Sequence, residues 1–284
     1  MAEEDIKGSP LLDLPTQNEE TMVGGRLARF RRNWKFNPWA YSIIKKGLGW
    51  KWKKDPKTIP RRRFIQISTP YLQEYVQELL EKKVIVRRSI RFQGQLFCVP
   101  RKNSSKKRVI LDLSHLNKFI QCDRFKMLTT AQIRTLLPRG EYAISIDLTD
   151  AYWHVPIAHH CSRYLGFALG HKAYAFRAMP FGLNIAPRIF TKLVKAVVGQ
   201  LRSKGIQIAA YLDDWLIWAK SPKECLEAGK KVILYLQSLG FKINYKKSRL
   251  TSQQKFEWLG LDWDLSAHKI SLPKEKVKEI AKLV

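Results

Sequence analysis

Apolar side chains follow two different spacings along this 284-residue chain. From Leu72 to Leu80 an apolar residue recurs every three or four positions, which is the spacing of one face of an α-helix. Thr69 is a suitable N-cap, and the following Pro70 is favoured in a first helical turn. Comparable patterns predict further helices over 129–136, 188–201 and 222–239, the last of these stopped by Gly240, and another from Pro273.

Other apolar runs are short, rich in β-branched and aromatic residues, and bounded by turn residues, which is typical of strands. The predicted strands cover 84–86, 96–99, 109–113, 141–147, 164–176 as a hairpin, 207–218 as a hairpin, 241–244 and 256–263. Helices and strands are therefore interspersed along the chain.

The hairpin at 207–218 carries the adjacent acids Asp213 and Asp214 between two apolar runs. Asp is a poor strand residue, so the pair is predicted to occupy the turn. Two charges about 4 Å apart repel by roughly 4 kcal/mol at a surface-like dielectric. A divalent cation with oxygen ligands is a common compensation, whereas an ordinary acidic turn is the competing interpretation.

A third acid, Asp147, ends the predicted strand at 141–147, and Asp150 follows it. A carboxylate at the end of a buried strand is costly unless it is paired or bound to metal. Three carboxylates around two Mg²⁺ ions form the phosphoryl-transfer centre of polymerases and nucleases. Residues 100–108, a predicted turn with five cationic side chains, suit a polyphosphate, although such a turn taken alone is more often a solvated hairpin.

The charge of the chain points to a polyanionic partner. Lys and Arg number 52 against 24 Asp and Glu, a net charge of +28, and the 45% hydrophobic content is typical of a globular protein. Nucleic acid or an anionic membrane surface fits this excess, and a basic structural protein is the alternative.

Two N-terminal segments differ sharply in charge. Residues 1–23 are acidic and are predicted to be disordered or loosely docked. Residues 24–66 form a basic arm with interleaved aromatic residues. Such an arm is predicted either to contact phosphates and unpaired bases or to anchor its aromatic residues on the main core, and both interpretations remain open.

Four cysteines lack the spacing of a metal site or a disulfide framework, and His159, His160 and Cys161 have no second cluster to complete a metal site. Reduced thiols and an intracellular location, in the cytoplasm, the nucleus or both, are therefore predicted. No signal peptide and no apolar run of membrane-spanning length is present, so no membrane partner is expected.

Six segments together resemble the reverse transcriptase family, in the order and approximate spacing of its motifs. The segment Tyr211–Asp214 resembles the family's Tyr-x-Asp-Asp box, and Asp147–Tyr152 resembles its first catalytic acid with the sugar-gate aromatic. The other four are Arg101–Lys102 with Arg108, Met179–Leu183 with Ala186–Pro187, Lys246–Lys247 after Gly240, and Trp258–Gly260. The resemblance covers residues 70–284, and the leader from Val23 is similar to DIRS-type tyrosine-recombinase retrotransposons.

The resemblance implies an α+β fold shaped as a right hand. Fingers are expected over 67–140, interleaved with the palm to about residue 180, and the palm through the primer grip over 141–284. The family's thumb and RNase H regions, and the recombinase of a DIRS-type element, would follow residue 284 and are expected to be missing from this sequence.

The resemblance also implies the site residues. Catalysis is expected from Asp147, Asp213 and Asp214, which with Leu148 would bind two Mg²⁺ ions, or Mn²⁺ in their place. The expected nucleotide-binding residues are Arg101, Lys102, Arg108, Asp150, Ala151, Tyr152, Phe181 and Lys247, with Lys246 as the alternative lysine. The expected primer and template residues are Tyr211, Trp258, Leu259, Gly260, Gly182 and Pro187.

The implied activity is RNA-directed DNA polymerisation, which adds a dNTP to a primer 3′-OH on an RNA or DNA template. A catalytically inactive or domesticated nucleic-acid-binding remnant is the main alternative. An RNA-templated RNA polymerase is disfavoured by the bulky Tyr152, and a metal-dependent nuclease leaves the cations at 100–108 and the turn at Phe181 unexplained.

Overall fold

The computed structural model describes residues 22–60, 66–101, 104–127, 129, 131–132, 135 and 141–282. Its helices are α1 (Pro38–Lys46), α2 (Pro70–Glu81), α3 (Ser114–Asn117), α4 (His159–Ser162), α5 (Ala186–Ser203), α6 (Pro222–Ser238) and α7 (Lys274–Ala281). Short 3-10 helices cover Arg26–Trp34, Pro56–Thr58 and Ala151–His154. The strands are β1 (Ile85–Arg87), β2 (Gln93–Arg101), β3 (Ser104–Asp112), β4 (Tyr142–Asp147), β5 (Gly166–Leu169), β6 (Lys172–Phe176), β7 (Gln207–Tyr211), β8 (Asp214–Ala219), β9 (Arg249–Gln253), β10 (Lys255–Trp258), β11 (Leu261–Asp264) and β12 (Lys269–Ser271).

The strands form three sheets among the described residues. The central sheet has the order β7-β8-β4-β9 and is antiparallel throughout. A second sheet has the order β1-β6-β5-β2-β3, with β2 and β5 parallel, and a third has the order β10-β11-β12. The arrangement is a mixed α+β fold, as predicted.

Both faces of the central sheet are buried, so packing on each side holds the ends of its strands in place. On β8, Trp215 and Ile217 join the large core, whereas Leu216 and Trp218 join a smaller core. Helices α5 and α6 pack on the sheet, and Phe256 of the third sheet belongs to the smaller core. A strand buried on both faces reads as a continuous apolar run, and this explains the uninterrupted hydrophobicity around the acids.

Several predicted helix boundaries are confirmed. Thr69 Oγ1 accepts a hydrogen bond from the Leu72 amide at 3.3 Å and caps α2. Gly240 follows α6 with a φ of 98°, a left-handed conformation that glycine adopts without the cost of a Cβ. Helix α5 begins at Ala186, before the predicted residue 188, because proline at position 187 is accepted in the first turn.

Three strand predictions were wrong in extent. Residues 241–244 form a single bridge, Leu148 to Ile243, because the backbone there is bonded to the ends of other elements. Residues 256–263 form two strands, β10 and β11, with a turn in which Leu259 and Gly260 both have positive φ. The predicted turn at 100–108 is mostly strand, since β2 continues through Arg101 and β3 begins at Ser104. Most of the predicted helix at 129–136 lies outside the described residues.

The N-terminal predictions need one correction. Residues 1–21 lie outside the described residues, but Val23 is buried and its amide donates to the Lys82 carbonyl, so this end of the segment is docked.

The basic arm packs on the main core through its aromatic residues. Trp34 is fully buried against Phe241, and its Nε1 donates to the Leu239 carbonyl at 2.9 Å.

In the part of the chain that the structure describes, no helix combines the length and apolarity needed to cross a membrane. The four cysteines, at positions 98, 122, 161 and 225, have free thiols.

Candidate active site

The pairing of β4, β7 and β8 brings the three predicted acids to one edge of the central sheet. Asp147 ends β4 directly opposite Asp214, the first residue of β8, and Asp214 also pairs with Tyr211 at the end of β7. The turn therefore consists of Leu212 and Asp213, which corrects the prediction that both acids occupy it. Leu212 has a left-handed φ of 55°, and the Asp213 carbonyl accepts a hydrogen bond from the Leu148 amide at 3.1 Å.

The acids destabilise one another in their charged forms. Burial, together with the charges of Asp213 and Asp147, raises the pKa of Asp214 to about 6. The pKa of Asp147 is also raised, mainly by burial and further by Asp213, while Lys247 and a hydrogen bond from Asn244 oppose the rise. The edge is therefore a concentration of negative charge that a bound cation would stabilise.

The loop that follows α6 is hydrogen-bonded to the backbone of Asp147. The Asp147 amide donates to Ser248 Oγ at 3.0 Å, and the Asn244 amide donates to the Asp147 carbonyl at 2.8 Å. The charge of Lys247 lowers the pKa of both Asp147 and Asp214. Lys247 is thus the lysine that faces the acids.

Tyr152 lies beside the acids as part of an aromatic stack. Its ring is 7% exposed, stacks on Phe181 with centroids 4.8 Å apart, and contacts Phe190 at 5.3 Å. Burial and the charge of Asp213 raise the pKa of Tyr152 to about 12. Phe181 is 55% exposed, so the stack presents an open aromatic surface next to the acids.

The turn that carries Phe181 is fixed by a glycine and an asparagine. Gly182 has a φ of 91°, and a Cβ there would lie 2.8 Å from the Leu111 carbonyl oxygen, so no larger residue fits without movement. Asn117 Nδ2 donates to the Gly182 carbonyl at 2.8 Å, and Asn117 Oδ1 accepts from the Asn184 amide at 3.0 Å. Pro187 lies in the first turn of α5.

The oxygen donors at the edge suit a hard divalent cation, which prefers carboxylate and carbonyl ligands. Within the described ranges, no three His, Cys, Asp or Glu side chains converge closely enough to enclose a metal by themselves. The arrangement is instead two carboxylates in register with a third in the adjoining turn, and a bound cation would offset their mutual repulsion.

A model of one protein family, described as "Reverse transcriptase (RNA-dependent DNA polymerase)", matches residues 99–263, more than half of the chain. The chain belongs to the reverse transcriptase family.

Viral proteins are among its relatives. The Pro-Pol polyprotein of Simian foamy virus type 1 is 28% identical over 195 residues, which cover 69% of this chain and 16% of the relative. Protein P of Duck hepatitis B virus (strain China) is 27% identical over 200 residues, covering 68% of this chain and 25% of the relative. The reverse transcriptase chain thus spans a quarter or less of the length of these relatives.

Solved structures show the same fold. The foamy viral protease-reverse transcriptase in complex with dsDNA aligns with a TM-score of 0.70 at 22% identity, covering 90% of this chain and 58% of that chain. The same protein with an RNA/DNA hybrid gives a TM-score of 0.69 at 21% identity, covering 90% and 37%. The predicted reverse-transcriptase-like α+β fold is confirmed.

Some predicted reverse transcriptase residues lie apart from the acids or are differently engaged. The Trp258 side chain is buried in the smaller core, while Leu259 and Gly260 form the β10–β11 turn, where Lys276 Nζ donates to the Gly260 carbonyl at 2.8 Å. The carboxylate of Asp150 is paired with Lys82 at 2.9 Å, and this partner carries no motif signal in the sequence.

Two of the three predicted fingers cations lie on paired strands. Arg101 and Arg108 lie on β2 and β3, where Arg101 pairs with Ser104 and Arg108 with Val99, whereas Lys102 lies outside the described residues. Leu148 and Ala151 are both buried beside the acids.

Proposed function

We propose that this chain is the RNA-directed DNA polymerase domain of a retroelement, transferring a nucleotidyl group from a dNTP to a primer 3′-OH on a nucleic-acid template. The observation that carries the proposal is the register of β4 and β8, which sets Asp147 opposite Asp214 with Asp213 in the adjoining turn. The similar foamy viral structures are complexes with dsDNA and with an RNA/DNA hybrid, which supports a primer–template partner.

Asp147, Asp213 and Asp214 would hold two Mg²⁺ ions, or Mn²⁺ in their place. Such ions activate the attacking hydroxyl and stabilise charge on the triphosphate. The side chain of Lys247, which faces these acids, supplies positive charge where pyrophosphate leaves. Arg101, Lys102 and Arg108 of the fingers would hold the triphosphate from the other side.

Tyr152 selects the sugar in this proposal. Its ring is fixed by Phe181 and Phe190, so it cannot move aside for an additional 2′-hydroxyl. A ribonucleotide would therefore clash with a rigid surface, and dNTP would be favoured over rNTP. The Gly182 turn, held by Asn117, would position the template next to this stack, and the Leu259–Gly260 turn would contact the primer.

A primer-extension assay tests the proposal. The full chain is incubated with a DNA primer on an RNA template, dNTPs and Mg²⁺ or Mn²⁺. Extension is expected for the native chain and is lost in Asp147→Asn and Asp214→Asn, whereas Asp264→Asn, a surface acid on β11, retains it. Extension that survives either of the first two substitutions refutes the assigned centre.

The alternatives give different results in the same assay. A binding remnant retains primer–template affinity but extends with neither metal. A nuclease shortens the labelled primer, and an RNA-templated RNA polymerase extends preferentially with rNTPs. Tyr152 and the intact acids favour the DNA polymerase.

We further propose that the domain derives from a DIRS-type element. The support is the leader from Val23, with Gly24, Gly25, Asn33 and Trp34, which resembles the upstream region of such elements. The sequence of the surrounding genomic locus tests this origin, because a DIRS-type element also encodes a thumb, an RNase H and a tyrosine recombinase, whereas an integrase-type neighbour would contradict it.

A further inference from the structure

The segment 50–57 separates its aromatic and cationic side chains onto opposite sides. Trp50 and Trp52 are packed against the large core, where their rings contact each other at 5.5 Å and Trp52 contacts Tyr164 at 4.8 Å. The intervening Lys51 and Lys53 are exposed. The inward aromatic residues anchor the segment on the core, as the second interpretation of the arm predicts, and the cations are turned to solvent.

The segment is joined by hydrogen bonds to the loop that follows α3. The Gln121 amide donates to the Lys51 carbonyl at 2.9 Å, and the Lys53 amide donates to the Phe119 carbonyl at 2.8 Å. Exposed cations are therefore present on both of the segments that these two hydrogen bonds join. We name this surface the basic band, and it consists of Lys51, Lys53, Lys54, Lys57, Lys118, Arg124 and Lys126, all exposed.

The basic band leads directly to the template-positioning turn. Cys122 Sγ lies 3.6 Å from the Asn184 carbonyl oxygen, and Asp123 pairs with Arg188 at 2.9 Å. In the segments 51–57 and 118–126, which carry the band, the only acidic residues are Asp55 and Asp123. Asp123 is engaged by Arg188, and Asp55 caps the 3-10 helix by accepting from the Lys57 amide at 2.8 Å.

The band has the two features of a single-strand binding surface. Its lysines and arginines can follow a phosphate backbone, and Phe125, 36% exposed between Arg124 and Lys126, offers a ring for base stacking. Its other aromatic residues face inward, so it lacks the row of exposed apolar side chains with which a membrane-binding surface enters lipid.

We propose that the basic band binds the unpaired template strand before it reaches the Gly182 turn. Residues 51–57 lie outside the segment 99–263 that the family model matches, whereas Lys118, Arg124 and Lys126 lie within it. The inference rests on the proposed polymerase function for the direction of the strand, and its test requires only binding.

The test compares two primer–template duplexes, one blunt and one with an unpaired template overhang of about ten nucleotides, within the usual single-strand site sizes. Affinity for the full chain is measured by fluorescence anisotropy at several salt concentrations, without dNTP or divalent metal. The variant is Lys51→Gln with Lys53→Gln and Lys54→Gln. The control is Lys223→Gln with Lys230→Gln and Lys231→Gln, which removes the same charge from exposed positions of α6.

With the overhang, the slope of log K against log salt concentration is expected to be shallower by about 2 for the variant than for the native chain. Each single-strand phosphate contact contributes about 0.7 to that slope, and the variant removes three cations. With the blunt duplex, the variant and the control are expected to behave alike. An equal loss for both duplexes, or an equal loss in the control, overturns the proposal because it indicates general charge attraction.

Vesicles containing phosphatidylserine provide the second arm. Native binding to vesicles that falls with the Lys51, Lys53 and Lys54 substitutions, while binding to the overhang does not, also overturns the proposal in favour of a membrane. A chain that never extends a primer would refute the polymerase function, yet it would leave this binding test fully interpretable.

Discussion

Replacing Asp214 by asparagine is expected to stabilise the protein while it abolishes polymerisation. In the fold, burial and two neighbouring acids raise the pKa of Asp214 from 3.8 to about 6. A raised carboxyl pKa means that the folded state binds more protons than the unfolded state, so stability falls as pH rises through the window from about 4 to 6. The asparagine side chain has no charge and removes this loss.

The magnitude follows from the shift. Each pKa unit corresponds to 1.36 kcal/mol, and because Asp214 is partly exposed we discount the sum for solvent screening to about 1–2 kcal/mol at pH 7. For a chain of this size that is a rise in Tm of about 2–8 °C. The gain is expected to be full at pH 7 and to be small near pH 4, where Asp214 is protonated in the folded state and about half protonated in the unfolded state.

Thermal unfolding without divalent metal, across pH 4 to 7, measures the effect. Asp264→Asn is the matched control, because hydrogen bonds from Ser266 and Ala267 hold the pKa of Asp264 at about 2 and its loss is expected to lower stability. An Asp214→Asn protein that is no more stable than the native chain at pH 7, or whose gain does not depend on pH, refutes the account of stored repulsion. Added Mg²⁺ should stabilise the native chain more than the variant.

Three further substitutions test other parts of the site. Tyr152→Ala should raise rNTP incorporation relative to dNTP in single-nucleotide extension, and an unchanged ratio removes its gate role. Lys247→Gln should slow extension far more than Lys246→Gln, because only Lys247 shifts the pKa values of the acids, and equal effects contradict that assignment. Trp34→Phe removes a buried hydrogen bond to the Leu239 carbonyl and should lower the free energy of unfolding by about 1–3 kcal/mol in urea titration, whereas an unchanged value shows that the arm is not anchored there.

Much of the fold could be predicted because local signals agree with the final packing. Thr69 and Pro70 begin α2 and Gly240 ends α6 at positions that capping preferences alone indicate. The strand end at Asp147 was also visible, since a charged residue interrupts an apolar run there, whereas Asp214 was predicted in the turn and instead begins β8. These features depend on residues that are close together in the chain, so the sequence alone predicts them.

The remaining details depend on long-range contacts. Leu212, Asp150 and Leu259 adopt left-handed φ values although none is glycine, so no turn signal marks them. Residues 241–244 do not form the predicted strand, because their backbone amides donate hydrogen bonds to Asp147 and His154. For example, the Lys242 amide donates to His154 Nε2 at 3.1 Å. Side-chain pairing such as that of Lys82 with Asp150 joins residues far apart in the chain and has no local pattern.

Extension of a DNA primer on an RNA template by the full chain, with the native protein and Asp213→Ala side by side, tests the central claim most directly. The account predicts products with Mg²⁺ or Mn²⁺ from the native chain, none from Asp213→Ala, and equal primer–template binding by both at moderate salt. Products that persist in Asp213→Ala, or a native chain that binds primer–template and extends it with neither metal, would contradict the assignment of these acids as a polymerase centre.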